Sequence, residues 1–432
     1  MKSLFFGGIH PADKKELSAG GPPLRRLEPK QVSISMSQHI GVPCKPLVGV
    51  GDQVKKGQKI GDGEGLCVPV HASVSGKVVA VEPRRHPSGQ EIMAVVIEND
   101  FQDTPDETMA CHEDYRKLNL EEILAIIREA GIVGMGGATF STQVKAASSM
   151  EKVETLIANG CECEPYLTAD DTLLRNEADR VLAGMHIIRH VLKPERMVLA
   201  VEENKKEAIE GLKKALEKEK DIELKVLPTR FPQGAEKQLI QAVTGREVPP
   251  GQLPAAVGCA VFNVATFAAT YDAVVQGKAV TERIVTVSGE GVNHPGNFRT
   301  PVGTSYADLL EAAGGVKAET CKVITGGPMM GYAQDDLSVS VIKGTNGVLG
   351  LIENVDTGDY ACIRCGKCLT VCPMKLQPLH LFEQIQLENK KGMEYYYLMD
   401  CIECGCCSYT CPGKLPLTSS FKAAKQKLKE ER

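Results

Sequence analysis

One cysteine spacing occurs twice near the end of this chain and constrains it more than any other feature. C-x2-C-x2-C-x3-C-P runs through Cys362, Cys365, Cys368, Cys372 and Pro373, and again through Cys401, Cys404, Cys407, Cys411 and Pro412. At that spacing one short loop can curl round an iron–sulfur cubane with three thiolates, and the fourth must come from elsewhere. The proline after the fourth cysteine turns the chain away. The alternative occupant is a pair of structural zinc ions, but zinc ribbons rarely place three cysteines at x2, x2 before Cys-Pro. Two cubanes would make this a chain that carries electrons one at a time.

The doubled motif resembles the two-cluster bacterial ferredoxins. That resemblance implies a crossed ligand set. Cys362, Cys365, Cys368 and Cys411 would hold cluster 1, and Cys401, Cys404, Cys407 and Cys372 would hold cluster 2. Cys406 falls outside the spacing and reads as a packed thiol.

The rest of the chain bounds the problem. At 432 residues it exceeds one ordinary domain. A net charge of −5 gives no sign of nucleic-acid binding. Of sixteen cysteines, eight belong to the motifs and the others scatter without a disulfide framework, which favours a reducing compartment. MKSLFFGGIHPADKK has too short an apolar run for a signal peptide. Leu253 to Tyr271 is uncharged, but Pro254, Gly258 and Asn263 interrupt it. It reads as a buried segment rather than a membrane span.

Residues 31–99 alternate short valine-rich runs with glycine turns. VGVGDQVKKGQKIG (48–61) and VHASVSGKVVAVE (70–82) resemble the halves of a barrel-sandwich hybrid, the fold of lipoyl and biotinyl carriers. The intervening hairpin, GEGLCVPVHA (63–72), has no lysine, so a structural or docking role is expected, and Cys67 with His71 reads as a chance pair. From residue 118 the pattern becomes helix and strand in alternation. Asn119 and Glu122 form a capping box, Ile123, Leu124, Ile126 and Ile127 give an apolar face, and Gly131 ends the helix. Strands are expected at 153–158, 196–202 and 222–227, with helices at about 170–192, 204–219 and 235–243, hence a parallel sheet. Residues 282–343 resemble the β-grasp domain called SLBB. A helical insert, 376–398, separates the cysteine motifs, and FKAAKQKLKEER (421–432) reads as a solvated basic helix, the alternative being a face for an acidic partner or membrane.

The middle of the chain holds a second constellation. GIVGMGGATFSTQVK (131–145) is a glycine-rich loop entering a helix, so Gly134, Gly136, Gly137 and Phe140 would bring backbone N–H groups to a phosphate, with Lys145 one turn on. NGCECEP (159–165) follows a strand and supplies Glu162 and Glu164, acceptors for ribose hydroxyls or a nicotinamide amide. QGAEKQLI (233–240) adds Glu236. Asn159, and Asn263 in VFNVAT (261–266), can address the edge of a flavin ring.

These pieces resemble the flavin-binding subunit of respiratory complex I. Its G-R-G-G-A-G-F-P-x-G-x-K corresponds to Gly134 through Lys145, its N-A-D-E-G-E-P to NGCECEP, its G-E-E-T to GAEK and its N-N-V-E-T to FNVAT. Met135 stands for an arginine, Thr139 and Gln143 for glycines, Ser141 for a proline and Cys161 for an aspartate. The order of parts, from GGIHP to the cysteine motifs, resembles the C-subunit family of the Rnf (Rsx) electron-transport complex over the whole chain. The resemblance implies a multidomain α/β protein. Residues 1–115 would carry a barrel-sandwich hybrid, 116–280 a Rossmann-like FMN/NAD(H) domain, 281–350 the SLBB β-grasp domain, and 351–432 an α+β ferredoxin-type domain. It implies FMN, NAD(H) and two [4Fe–4S] clusters as cofactors, other Rnf membrane and ferredoxin-type subunits as partners, no nucleic acid, and peripheral attachment on the cytoplasmic side of the inner membrane. Rival readings are a free-standing NADH-dependent reductase of the cobalamin reductase type and an electron-wire subunit with a decayed flavin loop.

Overall fold

A computed structural model describes residues 5–20, 24–150, 152–353 and 361–431. The start of the ferredoxin-type part, expected at about 355, lies outside the described residues. The apolar runs of the middle form a parallel sheet. Strands β1 (Thr155–Gly160), β2 (Arg196–Glu202), β3 (Ile222–Leu227) and β4 (Cys259–Asn263) lie in the order β3-β2-β1-β4. β1 and β2 are buried along almost their whole length, as strands covered on both faces must be. Around them stand α1 (Leu120–Glu129), α2 (Thr142–Ser149), α3 (Ala169–Leu192), α4 (Lys206–Leu216), α5 (Glu236–Thr244) and α6 (Val264–Gln276). Asn119 caps α1 in the expected reciprocal box with Glu122. The segment read only as buried and apolar, 253–271, splits at Asn263. β4 ends there, and the Asn263 Oδ1 accepts from the Ala265 N–H at 2.8 Å to start α6.

Residues 31–99 fold as two antiparallel sheets. One pairs Gln31–Ser35, Glu91–Asn99, Gly76–Arg85 and Gln53–Val54 in that order, and the other pairs Lys45–Pro46, Lys59–Asp62 and Val70–His71. Val32, Ile34, Ile60, Val70, Val78, Val95 and Ile97 fill the space between. A six-stranded sheet follows, with Glu282–Ser288 and Gly347–Leu351 parallel at its centre and the helix Tyr306–Ala312 against it. Its outer edge is Arg25–Arg26, which joins Gly296–Pro301 in parallel from far away in sequence.

The N-terminal segment lies over the C-terminal ends of the central strands. Ile9 and Phe231 exchange both backbone hydrogen bonds, at 2.8 and 3.0 Å, and the Gly8 N–H donates to the Val371 carbonyl at 2.8 Å. In the cysteine-rich end the described residues 361–431 carry helices but no strand, where an α+β arrangement was expected. Its loops are shaped by the cysteine spacing and by residues at positive φ rather than by strand pairing. The last helix, α7 (Leu417–Glu430), corrects the reading of a solvated terminal helix. Leu417, Phe421 and Ala424 share a face and are buried against the cysteine-rich loops, because apolar residues recur there at helical spacing. No described helix is long and apolar enough to cross a membrane.

Candidate functional site

The glycine-rich loop closes on itself. The Gly134 N–H donates to the Phe140 carbonyl at 2.8 Å and the Thr139 N–H to the Gly134 carbonyl at 3.1 Å, which leaves Gly136 and Gly137 exposed at the tip. Gly137 sits at φ +108° with open space where a Cβ would be, and a Cβ on Gly136 would come within 3.3 Å of Asn263. Ser141 caps α2, and the adjacent Thr142 hydroxyl is buried without a partner. Asn159 and Asn263 are register partners at the ends of β1 and β4, beside the loop. The Asn159 Nδ2 donates to the Gly234 carbonyl at 2.8 Å, next to Gln233, whose side-chain amide is fully buried and unpaired at both ends. A bare glycine tip, an orphaned hydroxyl and an orphaned amide at the ends of parallel strands are what a phosphate-bearing ring ligand needs. The residues present therefore fit FMN.

The charged residues expected here divide. Lys145 and Glu236 form an ion pair, with the ammonium 5.3 Å from the centre of the Phe262 ring. Glu162 turns to the start of α3 and accepts from the Asp170 and Asp171 N–H groups at 2.7 and 3.2 Å. Burial and the neighbouring Glu162 push Asp170 up to about 7. The Asn263 Nδ2 bonds Asp170 at 2.7 Å, so the acidic helix start reaches back to the glycine loop. Glu164 turns elsewhere. It accepts from the Met329 and Met330 N–H groups at 3.0 and 2.9 Å, towards the cysteine-rich end.

Burial raises Glu164 to about 7 against an ordinary 4.5. A carboxyl raised on folding binds its proton more tightly in the native state, so its contribution is fullest below pH 4.5 and is lost as pH rises towards 7. From pH 5 to 8 the native protein should lose on the order of 2 kcal/mol relative to Glu164→Gln. Denaturation of both forms across that range checks this; parallel pH curves would contradict it.

Three contributors were not foreseen in the sequence. Lys15 is buried, and its ammonium donates to the Glu162 and Glu164 carbonyls, both at 2.9 Å, and to the Leu167 carbonyl. It thus holds the turn that carries both acids. Arg283 is buried behind the loop and donates to the Met135 carbonyl at 2.8 Å, so a guanidinium braces the loop from within the fold. Gly7, at φ +72°, packs so tightly that a Cβ would lie 2.7 Å from the Cys372 backbone. Lysine and arginine are rarely buried, so only GGIHP hinted at this segment. Cys67 and His71 do not form a joint site: the Cys67 Sγ meets Cys44, and His71 faces Gly131.

The cysteine motifs fold as repeats. Arg364 and Glu403, Gly366 and Gly405, and Lys375 and Lys414 all adopt positive φ at equivalent places. In each copy a backbone N–H points at the first sulfur, Arg364 to Cys362 and Glu403 to Cys401, both at 3.4 Å. One cavity is lined by Cys362, Cys365, Cys368 and Cys411, with Leu379, Phe382 and Leu417. The other is lined by Cys401, Cys404, Cys407 and Cys372, with Leu381 and Phe421. Among the described residues no three His, Cys, Asp or Glu side chains converge on a single-ion point. The thiols instead stand round a space, which suits a cubane. Cys406 also borders the second cavity but is fully buried in a cluster with Ile9, Phe231 and Cys404. The first cavity lies outward, since Cys362 and Cys365 are exposed, whereas Cys372, Cys404 and Cys407 are buried.

Parallel-sheet flavin site, thiol cavities, barrel and β-grasp together define a modular flavin and iron–sulfur electron-transfer protein. Family models agree part by part: the RnfC barrel-sandwich hybrid domain over 3–102, the Nuo51 FMN-binding domain over 127–272, the SLBB domain over 284–333 and a 4Fe-4S dicluster domain over 361–414. The chain is 45% identical to the C subunit of the proton-translocating ferredoxin:NAD(+) oxidoreductase complex of Clostridium ljungdahlii, over 92% of this chain and 88% of that one. It is 44% identical to the Na(+)-translocating counterpart of Acetobacterium woodii, over 98% and 97%. A crystal structure of an NAD+-reducing [NiFe]-hydrogenase shares the fold at TM-score 0.50 and 19% identity, covering 72% of this chain and 61% of that one. The chain belongs to the family of C subunits of ion-translocating ferredoxin:NAD(+) oxidoreductase (Rnf) complexes.

Proposed function

We propose that this protein is the NAD(H)-reactive subunit of a membrane-bound, ion-translocating ferredoxin:NAD(+) oxidoreductase. It would exchange electrons between NAD(H) and partner subunits through FMN and two [4Fe–4S] clusters. When bound, FMN exchanges two electrons with the nicotinamide and the clusters carry them singly, which is why the flavin belongs between them. The chain's residues supply placement. Gly134, Gly136, Gly137, Phe140 and Lys145 cradle the flavin phosphate, and Asn159 and Asn263 address the ring. Glu236 and Glu162 border the nicotinamide side, whereas Glu164, expected there too, faces Met329 and Met330. The observation that carries this reading is α5. It begins with Glu236, paired to Lys145 of the flavin loop, and two residues on the Gln238 Nε2 donates to the Pro373 carbonyl at 3.2 Å, beside Cys372. Less than one helical turn, about 5.4 Å of rise, thus separates flavin-side and cluster-side contacts. The buried quartet of Cys372, Cys401, Cys404 and Cys407 is then the relay, and the outer quartet of Cys362, Cys365, Cys368 and Cys411 is the exit to partners.

The same reading divides the chain at 116, 281 and 351, and attaches it peripherally, through other Rnf subunits, to the cytoplasmic side of the inner membrane. Full-length relatives that are complex subunits favour it over a free-standing reductase. Anaerobic protein reconstituted with FMN, iron and sulfide tests it. NADH should bleach the flavin absorbance, and Glu236→Gln should slow bleaching more than it loosens FMN. Expressed with its partners the protein should sediment with membranes, and alone it should not. Protein that binds FMN but ignores NADH would defeat the substrate assignment, and membrane binding without partners would defeat the attachment.

A further inference from the structure

The barrel-sandwich domain contains two thiols that nothing in the electron path uses. Cys44 and Cys67 are 5% and 4% exposed, with their sulfurs 3.3 Å apart. The strand between them makes room. A Cβ on Gly61 would lie 3.2 Å from the Cys44 Cβ, and one on Gly63 would lie 3.2 Å from the Cys67 Sγ. Positions two apart on an extended chain face the same side, so two bare glycines leave the space that the Cys44 and Cys67 side chains and the Met36 thioether occupy. Both thiols lie just under the surface. Pro43 and Lys45 on either side of Cys44 are exposed, as are Glu64 and Gly65 at the tip of the hairpin that carries Cys67.

We propose that Cys44 and Cys67 are an intramolecular disulfide site, oxidised by low-molecular-weight disulfides of the glutathione class. The sulfurs are already in contact at 3.3 Å, and a disulfide bond is about 2.05 Å long. Burial pushes the Cys44 thiol up to about 12 and keeps it protonated, so it is the slower of the two to attack and acts second. Cys67, on the hairpin, reacts first. Its thiolate attacks one sulfur of the small disulfide, forming a mixed disulfide and releasing one thiolate. The Cys44 sulfur then attacks the Cys67 sulfur and releases the other half. The protein dithiol loses two electrons and two protons, and the small disulfide becomes two thiols.

The new bond would fix a segment that reaches the flavin loop. The Cys44 N–H donates to the Met36 carbonyl at 2.8 Å, the Val42 N–H to the Leu66 carbonyl at 2.9 Å, and the Ile40 N–H to the Thr139 carbonyl at 3.1 Å. Closing Cys44 on Cys67 ties the hairpin to the 40–44 segment that braces Thr139. Beneath it, the buried Lys343 ammonium donates to the Pro69 and Gly131 carbonyls, both at 2.7 Å, joining the same hairpin to the start of the loop.

The test uses anaerobic, fully reconstituted protein treated with oxidised glutathione, alkylated, and mapped by mass spectrometry without reduction. The Cys44 and Cys67 peptides should appear joined, with loss of both free thiols. Cys111 and Cys321, which are exposed, report that oxidant reached the protein. In Cys44→Ser the reaction should stop after the first step, leaving glutathione on Cys67. Two outcomes overturn the proposal. One is complete alkylation of Cys44 and Cys67 while Cys111 and Cys321 carry glutathione. The other is a joined pair that appears only after denaturation.

Discussion

Cys372→Ala should empty the inner cluster site although Cys372 belongs to the outer motif. Iron should fall from about eight to about four per chain, because a cubane missing one of its four thiolates is not retained. The cavity geometry is the reason, since Cys372 lines the same space as Cys401, Cys404 and Cys407. Iron content alone does not say which site is lost, so pairs of substitutions are needed. Adding Cys401→Ala to Cys372→Ala should cost no further iron, because both act on one site, whereas adding Cys362→Ala should remove the rest. Uncrossed ligation would give the opposite pattern and sink the assignment. Cys411→Ala should mirror the result at the outer site.

Lys15→Met should give the second large effect. Its ammonium satisfies three backbone carbonyls in the turn 162–167, and methionine leaves them buried without donors. The loss should be about 3 kcal/mol of stability or more. The turn orients Glu162 and Glu164, so the reaction with NADH should slow on the order of a hundredfold while FMN and both clusters are retained. Stopped-flow bleaching of cofactor-replete protein measures it. An unchanged rate in a destabilised protein would make Lys15 purely structural.

Much of the central fold was legible because its signals are local. β2 and β3 lie where apolar runs bounded by polar residues put them, β1 begins two residues later than expected, and the Asn119 box is as read. The two cysteine repeats were legible because their spacing is written into the chain, while the crossing of Cys372 and Cys411 came only with the resemblance to two-cluster ferredoxins. What the carboxylates face was not. Glu162 and Glu164 sit two apart in one turn, yet one caps α3 and the other meets Met329, since positive φ at Glu162 redirects the backbone between them. The burial of Lys15 and Arg283 depends on segments far away in sequence. The meeting of Cys44 with Cys67 depends on a glycine-lined strand whose packing no periodicity specifies.

The contact of Gly7 and Gly8 with Val371 and Cys372 also has a bearing on how the molecule is made. A ribosome releases the glycines hundreds of residues before the cysteine they touch. Closing so long a loop is slow, and domains made earlier can fold while it stays open. The inner cysteine quartet becomes complete only once Cys407 has been made. Iron delivered before then would find Cys372 without its three partners, although the GGIH segment that packs on it was made long before.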